Sequence, residues 1–220
     1  MKAMIENLNL NTASLMELED MHTSGLYAKR PLVIVRGQAA RLWDADGNEY
    51  IDCVGGQGAA NLGHANPRVS AAIAAQAQKL ISCPEMFYND QRAALEARLC
   101  GLAGMPRIFL CNSGTESIEA AIKFARLVSG RSGIIACMRG FHGRTFGALS
   151  ATWEKKYRQP FEPLVPGFSH VAYNDIPALD QAVSDQTAAV LLEVVQGEGG
   201  VRPGDPAYLQ IGRASCRERV

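Results

Sequence analysis

Three short clusters in the sequence join glycines to polar, aromatic or charged side chains, and each follows an apolar run of strand length. The first is Asn112-Ser113-Gly114-Thr115-Glu116. The apolar run Arg107–Cys111 leads into it. After it, Ile118, Ala121, Ile122 and Ala125 fall at i, i+3, i+4 and i+7, the stripe of a helix that packs on a sheet. A strand–glycine turn–helix junction aims free backbone N–H groups and the positive end of the helix dipole at one point, which suits a phosphate. The hydroxyls of Ser113 and Thr115 could add hydrogen bonds; the plainer alternative is that one of them only caps the helix. The P-loop pattern G-x-x-x-x-G-K-[ST] is absent.

The second cluster, Arg139-Gly140-Phe141-His142-Gly143-Arg144-Thr145, follows the apolar run Gly133–Met138. Ligands of open α/β sheets sit beyond the carboxyl ends of the strands, so this loop and the Gly114 turn are expected to share a crevice. Phe141 could lie flat on an aromatic ring, and Arg144 could clamp a carboxylate through two parallel hydrogen bonds. Taken singly, a buried Phe and a solvated Arg are the bland alternatives, and His142 reads as a packed loop histidine rather than an acid or base. The third cluster is Glu193-Val194-Val195-Gln196-Gly197-Glu198-Gly199-Gly200, after the run Ala188–Val195. Its carboxylates could order a site, pair with a distant arginine or remain surface acids, and its glycines let backbone pass close to a ligand.

The elements that would position these clusters follow from patterning. Residues 32 to 53 alternate apolar and polar around Asp44-Ala45-Asp46-Gly47-Asn48, so Ala40–Trp43 and Glu49–Cys53 are expected to pair as a hairpin. Gly55, Gly56, Gly58 and Gly63 interrupt regular structure, and a helix should begin at Asn66-Pro67 and run through Val69, Ile73, Ala74 and Ala77. From about residue 91 helices alternate with strands: Arg92–Leu102 helical, Arg107–Cys111 a strand, Thr115–Val128 helical, Gly133–Met138 and Ala188–Val195 strands, and a helix near Ile176–Val183. Such alternation implies an α/β fold with a mainly parallel sheet.

Lys+Arg and Asp+Glu both number 22, so nothing in the overall field favours nucleic acid or an anionic membrane, and small ligands are the better expectation. No run approaches the ~18 apolar residues of a membrane span, and Met1 to Asn11 has no long apolar stretch of the secretory kind. A cytoplasmic location is expected. The six cysteines (Cys53, Cys83, Cys100, Cys111, Cys137 and Cys216) form no C-x-x-C pair and no zinc-spaced cluster, so reduced thiols in or near the core are expected and no metal site.

In their order, the three clusters resemble the class III (ornithine/acetylornithine type) aminotransferases of pyridoxal-phosphate (PLP) fold type I. The likeness covers about residues 25 to 210 and includes Gly37-Gln38-Ala39-Ala40-Arg41-Leu42-Trp43-Asp44, Asn48-Glu49-Tyr50-Ile51-Asp52 and Leu62-Gly63-His64-Ala65-Asn66-Pro67. The resemblance implies residues 1–75 as an N-terminal segment contributing to a small domain, and 76–210 as a partial PLP-binding large domain. It also implies that Ser113, Gly114 and Thr115 hold the PLP phosphate, with Phe141 stacked on the pyridine ring and His142 beside it. Arg144 would bind the substrate α-carboxylate, and Glu198 matches a glutamate that gates the site. Phe-His-Gly-Arg-Thr points to the acetylornithine branch, because many other members have Tyr-His-Gly without that arginine. The wording of Val35 to Pro67, Arg139-Gly140-Phe141 and Thr152-Trp153-Glu154 looks closest to the enzymes acting on LysW-carried aminoadipate semialdehyde. The reaction implied is transfer of a terminal amino group to 2-oxoglutarate, by a homodimer, with a LysW carrier protein as one further partner. A broader ω-aminotransferase and a non-catalytic PLP-binding fragment are the alternatives.

The sequence departs from the family in three places. None of Lys2, Lys29, Lys79, Lys123, Lys155 and Lys156 sits in the context of the family's Schiff-base lysine, so no catalytic residue is assigned and the chain reads as an N-terminal fragment, inactive by itself. Val194 stands where the family usually has proline. The arginine-rich string 211–220 does not continue the helix–strand pattern and resembles translated sequencing adapter rather than native sequence.

Overall fold

A computed structural model describes residues 11–210, and the chain divides after Arg92 into two units. The adapter-like string 211–220 and Cys216 lie outside the described residues.

The first unit opens with helix α1 (Thr12–His22), whose N-cap Asn11 accepts from the Ser14 N–H at 2.9 Å. Strands β1 (Ile34–Gln38), β2 (Arg41–Asp44) and β3 (Glu49–Ile51) then form an antiparallel sheet in chain order. The expected β2–β3 hairpin is present, and its turn is organised by one carboxylate. Asp44, 4% exposed, accepts from Asn48 N at 2.8 Å, Asp46 N at 3.1 Å, Asn48 Nδ2 at 3.0 Å and Tyr50 OH at 2.7 Å. These bonds, Asn48's side chain foremost, hold the Asp44 pKa below its ordinary value.

The second strand of that hairpin stops at Ile51 rather than Cys53, because Asp52 turns away from the ladder. Its carboxylate accepts from Val54 N and Gly55 N, both at 2.9 Å, and pairs with His64 Nε2 at 2.6 Å. The β1–β2 turn was not foreseen. Ala39 adopts φ 49° there, held by reciprocal backbone bonds with His64, both 2.9 Å. Gly63 lets the two segments approach: a Cβ on it would lie 2.9 Å from Ala39 Cα. Helix α2 (Pro67–Ala77) begins as expected, with Pro67 in its first turn and Asn66 as N-cap.

Helix α3 (Asp90–Ala103) covers the expected Arg92–Leu102. The expected strand Arg107–Cys111 is not formed. The segment has no regular structure, Arg107 to Phe109 are exposed, and no neighbouring strand pairs with it among the described residues. Apolar content alone supplies no ladder partner; Phe109 instead meets Phe124 edge-on at 5.7 Å. Phe124 belongs to helix α4 (Gly114–Ser129), which ends at Gly130 in the left-handed conformation, φ 67°.

The centre of the second unit is a parallel sheet, ordered β5 (Phe168–Val171), β4 (Gly133–Cys137), β6 (Thr187–Leu191). This is the α/β architecture the alternation implied. β4 lies between the other two strands and Ile134 to Cys137 are all buried, which is why it reads as an unbroken apolar run. Helix α5 (Phe146–Ala151) packs on β4 and β5, and α6 (Lys155–Arg158) follows it. Helix α7 (Ile176–Ala182) is started by Asp175 and Pro177. Ile135, Cys137, Val171, Tyr173, Leu179 and Tyr208 form the core. Ala188–Val195 is not one strand. β6 ends at Leu191, and Val195–Gln196 (β7) pairs antiparallel with Arg202–Pro203 (β8), so Glu193 and Val194 lie in a bend between them. The described cysteines are all free, but only Cys137 is in the core; Cys53 and Cys111 are exposed. No helix among the described residues is long and apolar enough to cross a membrane.

The His64 partner and the two N–H donors bring the Asp52 pKa from 3.8 down to about 2. A depressed carboxylate pKa contributes stability that is present above the unfolded value and lost as pH falls through the folded one. Acid titration should therefore destabilise the wild type between 3.8 and about 2 more steeply than Asp52→Asn. Urea unfolding at a series of pH values checks this; identical acid slopes for the two proteins would remove Asp52 from the account.

Candidate functional site

The second and third clusters leave the sheet at the carboxyl ends of β4 and β6, where α/β sheets bind ligands. Backbone donors of the two loops converge on Glu193, whose Oε1 accepts from Phe141 N at 2.9 Å and whose Oε2 accepts from Gly197 N at 3.3 Å. Gln196, fully buried, donates from Nε2 to Met138 O at 2.9 Å and adds a second tie between the same loops. Val194, in the position expected to disturb this geometry, leaves its side chain exposed while its carbonyl accepts from Tyr173 OH and Gly204 N. Glycines let the strands of backbone touch: a Cβ on Gly199 would sit 2.8 Å from Arg139 O, and one on Gly140 would sit 2.9 Å from Cys137 O and 3.1 Å from His142 Nε2.

The Gly114 turn caps its helix and still leaves donors over. Ser113 Oγ accepts from Glu116 N at 3.3 Å, and Glu116 Oε2 reaches back to accept from Asn112 N at 2.6 Å. Among the described residues the Gly114 and Thr115 N–H groups meet no acceptor, and a Cβ on Gly114 would meet nothing within 4 Å, so the turn faces open space. The second cluster touches this turn. Thr115 Oγ1 lies 2.8 Å from Thr145 Oγ1, Thr145 Oγ1 donates to Glu119 Oε1 at 2.5 Å, and a Cβ on Gly143 would come 2.3 Å from Thr115 Oγ1.

Tyr157 gathers the remaining residues. Phe141, half-buried, meets its ring at 6.0 Å and 76°, and the Arg144 guanidinium carbon lies 5.5 Å and Lys156 Nζ 4.9 Å from its centroid. Its hydroxyl donates to Glu198 Oε1 at 3.0 Å. A cavity of about 290 Å³ runs along this group, with Phe141, Trp153, Lys156, Tyr157 and Glu198 in its wall. His142 instead turns inward. It is 8% exposed, its N–H donates to Thr152 Oγ1 at 3.0 Å, and its Nε2 has no partner. Burial pushes its pKa below the ordinary 6.5, with Glu193 opposing, so the ring is neutral near pH 7.

Two residues of this arrangement were not named from the sequence, Glu119 and Tyr157, and Thr145 was named without a role. Glu193 carried one readable signal, its place in a glycine-rich cluster at the end of an apolar run, whereas Glu119 and Tyr157 look like ordinary helix-surface residues until the chain is folded.

Replacing Glu193 by alanine removes a charged acceptor from two backbone donors, a loss of about 1.5–3 kcal/mol for such a bond. Glu193→Ala should lower the denaturation midpoint accordingly, with Glu193→Gln losing less; a midpoint within error of wild type would show that the loops hold together without it.

The class III aminotransferase family model matches residues 25–219. The acetylornithine aminotransferase of Methanopyrus kandleri is 48% identical over 205 residues, which cover 92% of this chain and 52% of that protein. The LysW-aminoadipate semialdehyde transaminase of Deinococcus radiodurans is also 48% identical, over 213 residues covering 95% of this chain and 50% of the relative. An ornithine aminotransferase structure from Toxoplasma gondii superposes with a TM-score of 0.92 at 33% identity, over 98% of this chain and 53% of that one. The chain thus spans about half the length of the relatives it matches. With the family model matched over residues 25–219 and an α/β fold shared with these relatives, the chain belongs to the class III PLP-dependent aminotransferases.

Proposed function

We propose that these residues form half of an enzyme that moves the terminal amino group of an N-acylated ornithine or lysine derivative to 2-oxoglutarate. The observation that carries this reading is the contact between the Gly114–Thr115 turn and the loop bearing Phe141 and Arg144. On this reading it joins the turn that would hold a phosphate to the loop that would hold a carboxylate. The names of the 48% identical relatives supply the substrate class, and a LysW carrier bearing the acyl group and a homodimeric assembly belong to the same proposal.

The residues present suit pyridoxal phosphate. The unpartnered N–H groups of Gly114 and Thr115 and the hydroxyl of Ser113 would hold its phosphate, and the half-buried face of Phe141 would hold its ring. His142, neutral and behind Phe141 in the loop, would support that ring's position rather than exchange a proton. When bound, the cofactor supplies the electron sink that lets an amino group pass between carbon skeletons. Arg144 would orient the donor by its α-carboxylate, and Glu198, held by Tyr157, would stand opposite as the gating acid. The lysine that anchors the cofactor is proposed to come from the half of the relatives' length that this chain does not span. A second reading, transfer from free ornithine, is favoured by the likeness to ornithine aminotransferase.

In an enzyme completed with the remaining half, Arg144→Ala should raise KM for the acylated amino donor by about 10–100-fold, the worth of a charge-assisted bond, with a smaller change in kcat. An unchanged KM removes Arg144 from substrate binding. Comparing kcat/KM for N-acetylornithine and free ornithine separates the two readings. For the present chain, borohydride treatment with pyridoxal phosphate followed by peptide mass mapping should find no stoichiometric lysine adduct. An adduct at Lys156, the lysine in the cavity wall, would show instead that the chain supplies its own amine.

A further inference from the structure

Glu119 lies in the second turn of α4, and its Oε1 accepts three hydrogen bonds from one neighbouring segment: Thr145 Oγ1 at 2.5 Å, Gly147 N at 2.9 Å and Ala148 N at 3.1 Å. It thereby performs for α5 the capping that Thr145 does not, since Thr145 occupies the N-cap position without a side-chain cap bond. Gly147 leaves the room: a Cβ there would lie 2.4 Å from Glu119 Oε2.

Proton counting gives the arrangement a direction. A carboxylate only accepts, so Thr145 must spend its single hydroxyl proton on Glu119. Thr145 Oγ1 can then meet Thr115 Oγ1, 2.8 Å away, only as an acceptor, and the Thr115 proton points at Thr145. The Thr115 hydroxyl is therefore committed within the protein, and the turn has its Gly114 and Thr115 N–H groups to offer an anion.

We propose that Glu119 is a positioning residue that, through Thr145 and Thr115, locks the Arg144 loop and the start of α5 to the Gly114–Thr115 turn, so that phosphate-binding and carboxylate-binding groups move as one body. The coupling itself requires no cofactor; its bearing on PLP rests on the proposed function.

Amide hydrogen exchange on the whole chain tests it. In Glu119→Ala, the Gly147 and Ala148 amides and the first hydrogen-bonded turn of α4, Glu116 to Glu119, should exchange on the order of tenfold faster, while the β4 amides keep wild-type rates. Thr145→Val, which cuts the relay but spares the bonds to α5, should loosen the start of α4 alone. Acceleration confined to α5, acceleration spread equally into β4, or a Thr145→Val protein with wild-type exchange at Glu116 to Glu119 would each overturn the coupling. In fluorescence titration with pyridoxal phosphate, absence of any binding by the wild type would count against the cofactor reading above and leave the exchange result standing.

Discussion

Two loops that leave a parallel sheet from different strands share one carboxylate. Parallel strands end with their backbone donors spent along the ladder, and the irregular segments beyond must find acceptors elsewhere or leave polar groups stranded. Glu193 answers that need for both Phe141 and Gly197. Three of the candidate site residues hang from the two loops so joined: Phe141 and Arg144 on one, Glu198 on the other, with Tyr157 as the surface where they meet. The acid is half-buried, with one carboxylate oxygen turned to each loop.

Helices α2 and α4 were legible because two independent signals agreed at each, an apolar stripe and a capping residue, Asn66 with Pro67 for α2 and Ser113 for α4, whereas α1, α5 and α6 were not foreseen. Strands were legible where alternation around a turn marked them, as in the β2–β3 hairpin, or where burial made an unbroken apolar run, as in β4. Phe168–Val171 carries a serine and a histidine among four residues and gave no such sign, whereas Arg107–Cys111 gave the sign without the partner that makes a strand. The turn at Ala39-Ala40 could not be read locally at all. Nothing in two alanines requests a positive φ; His64, twenty-five positions on, imposes it through two backbone bonds.

The residues named for the site fared according to what their roles demand. Gly114 and Thr115 are defined by backbone donors, and a strand-length run followed by glycine and a helix announces those donors in sequence, even though the run pairs with no strand among the described residues. Roles that depend on which surfaces meet, such as that of Tyr157 between Arg144 and Glu198, have no local signature. His142 shows the opposite case: a residue conspicuous in the motif turns inward, with one ring nitrogen unpartnered and the ring kept neutral by burial. Its value to the loop is volume beneath Gly140, where a larger residue would strike the imidazole.

Gly147 has a bearing on how sequences of this fold can drift. The space its missing side chain leaves is filled by the Glu119 carboxylate. A lineage that gains any side chain at position 147 must first shorten or withdraw the acid at 119, and a lineage that loses the acid is released from glycine. The two positions, on separate helices and twenty-eight residues apart, constitute a single heritable unit: glutamate with glycine, or neither.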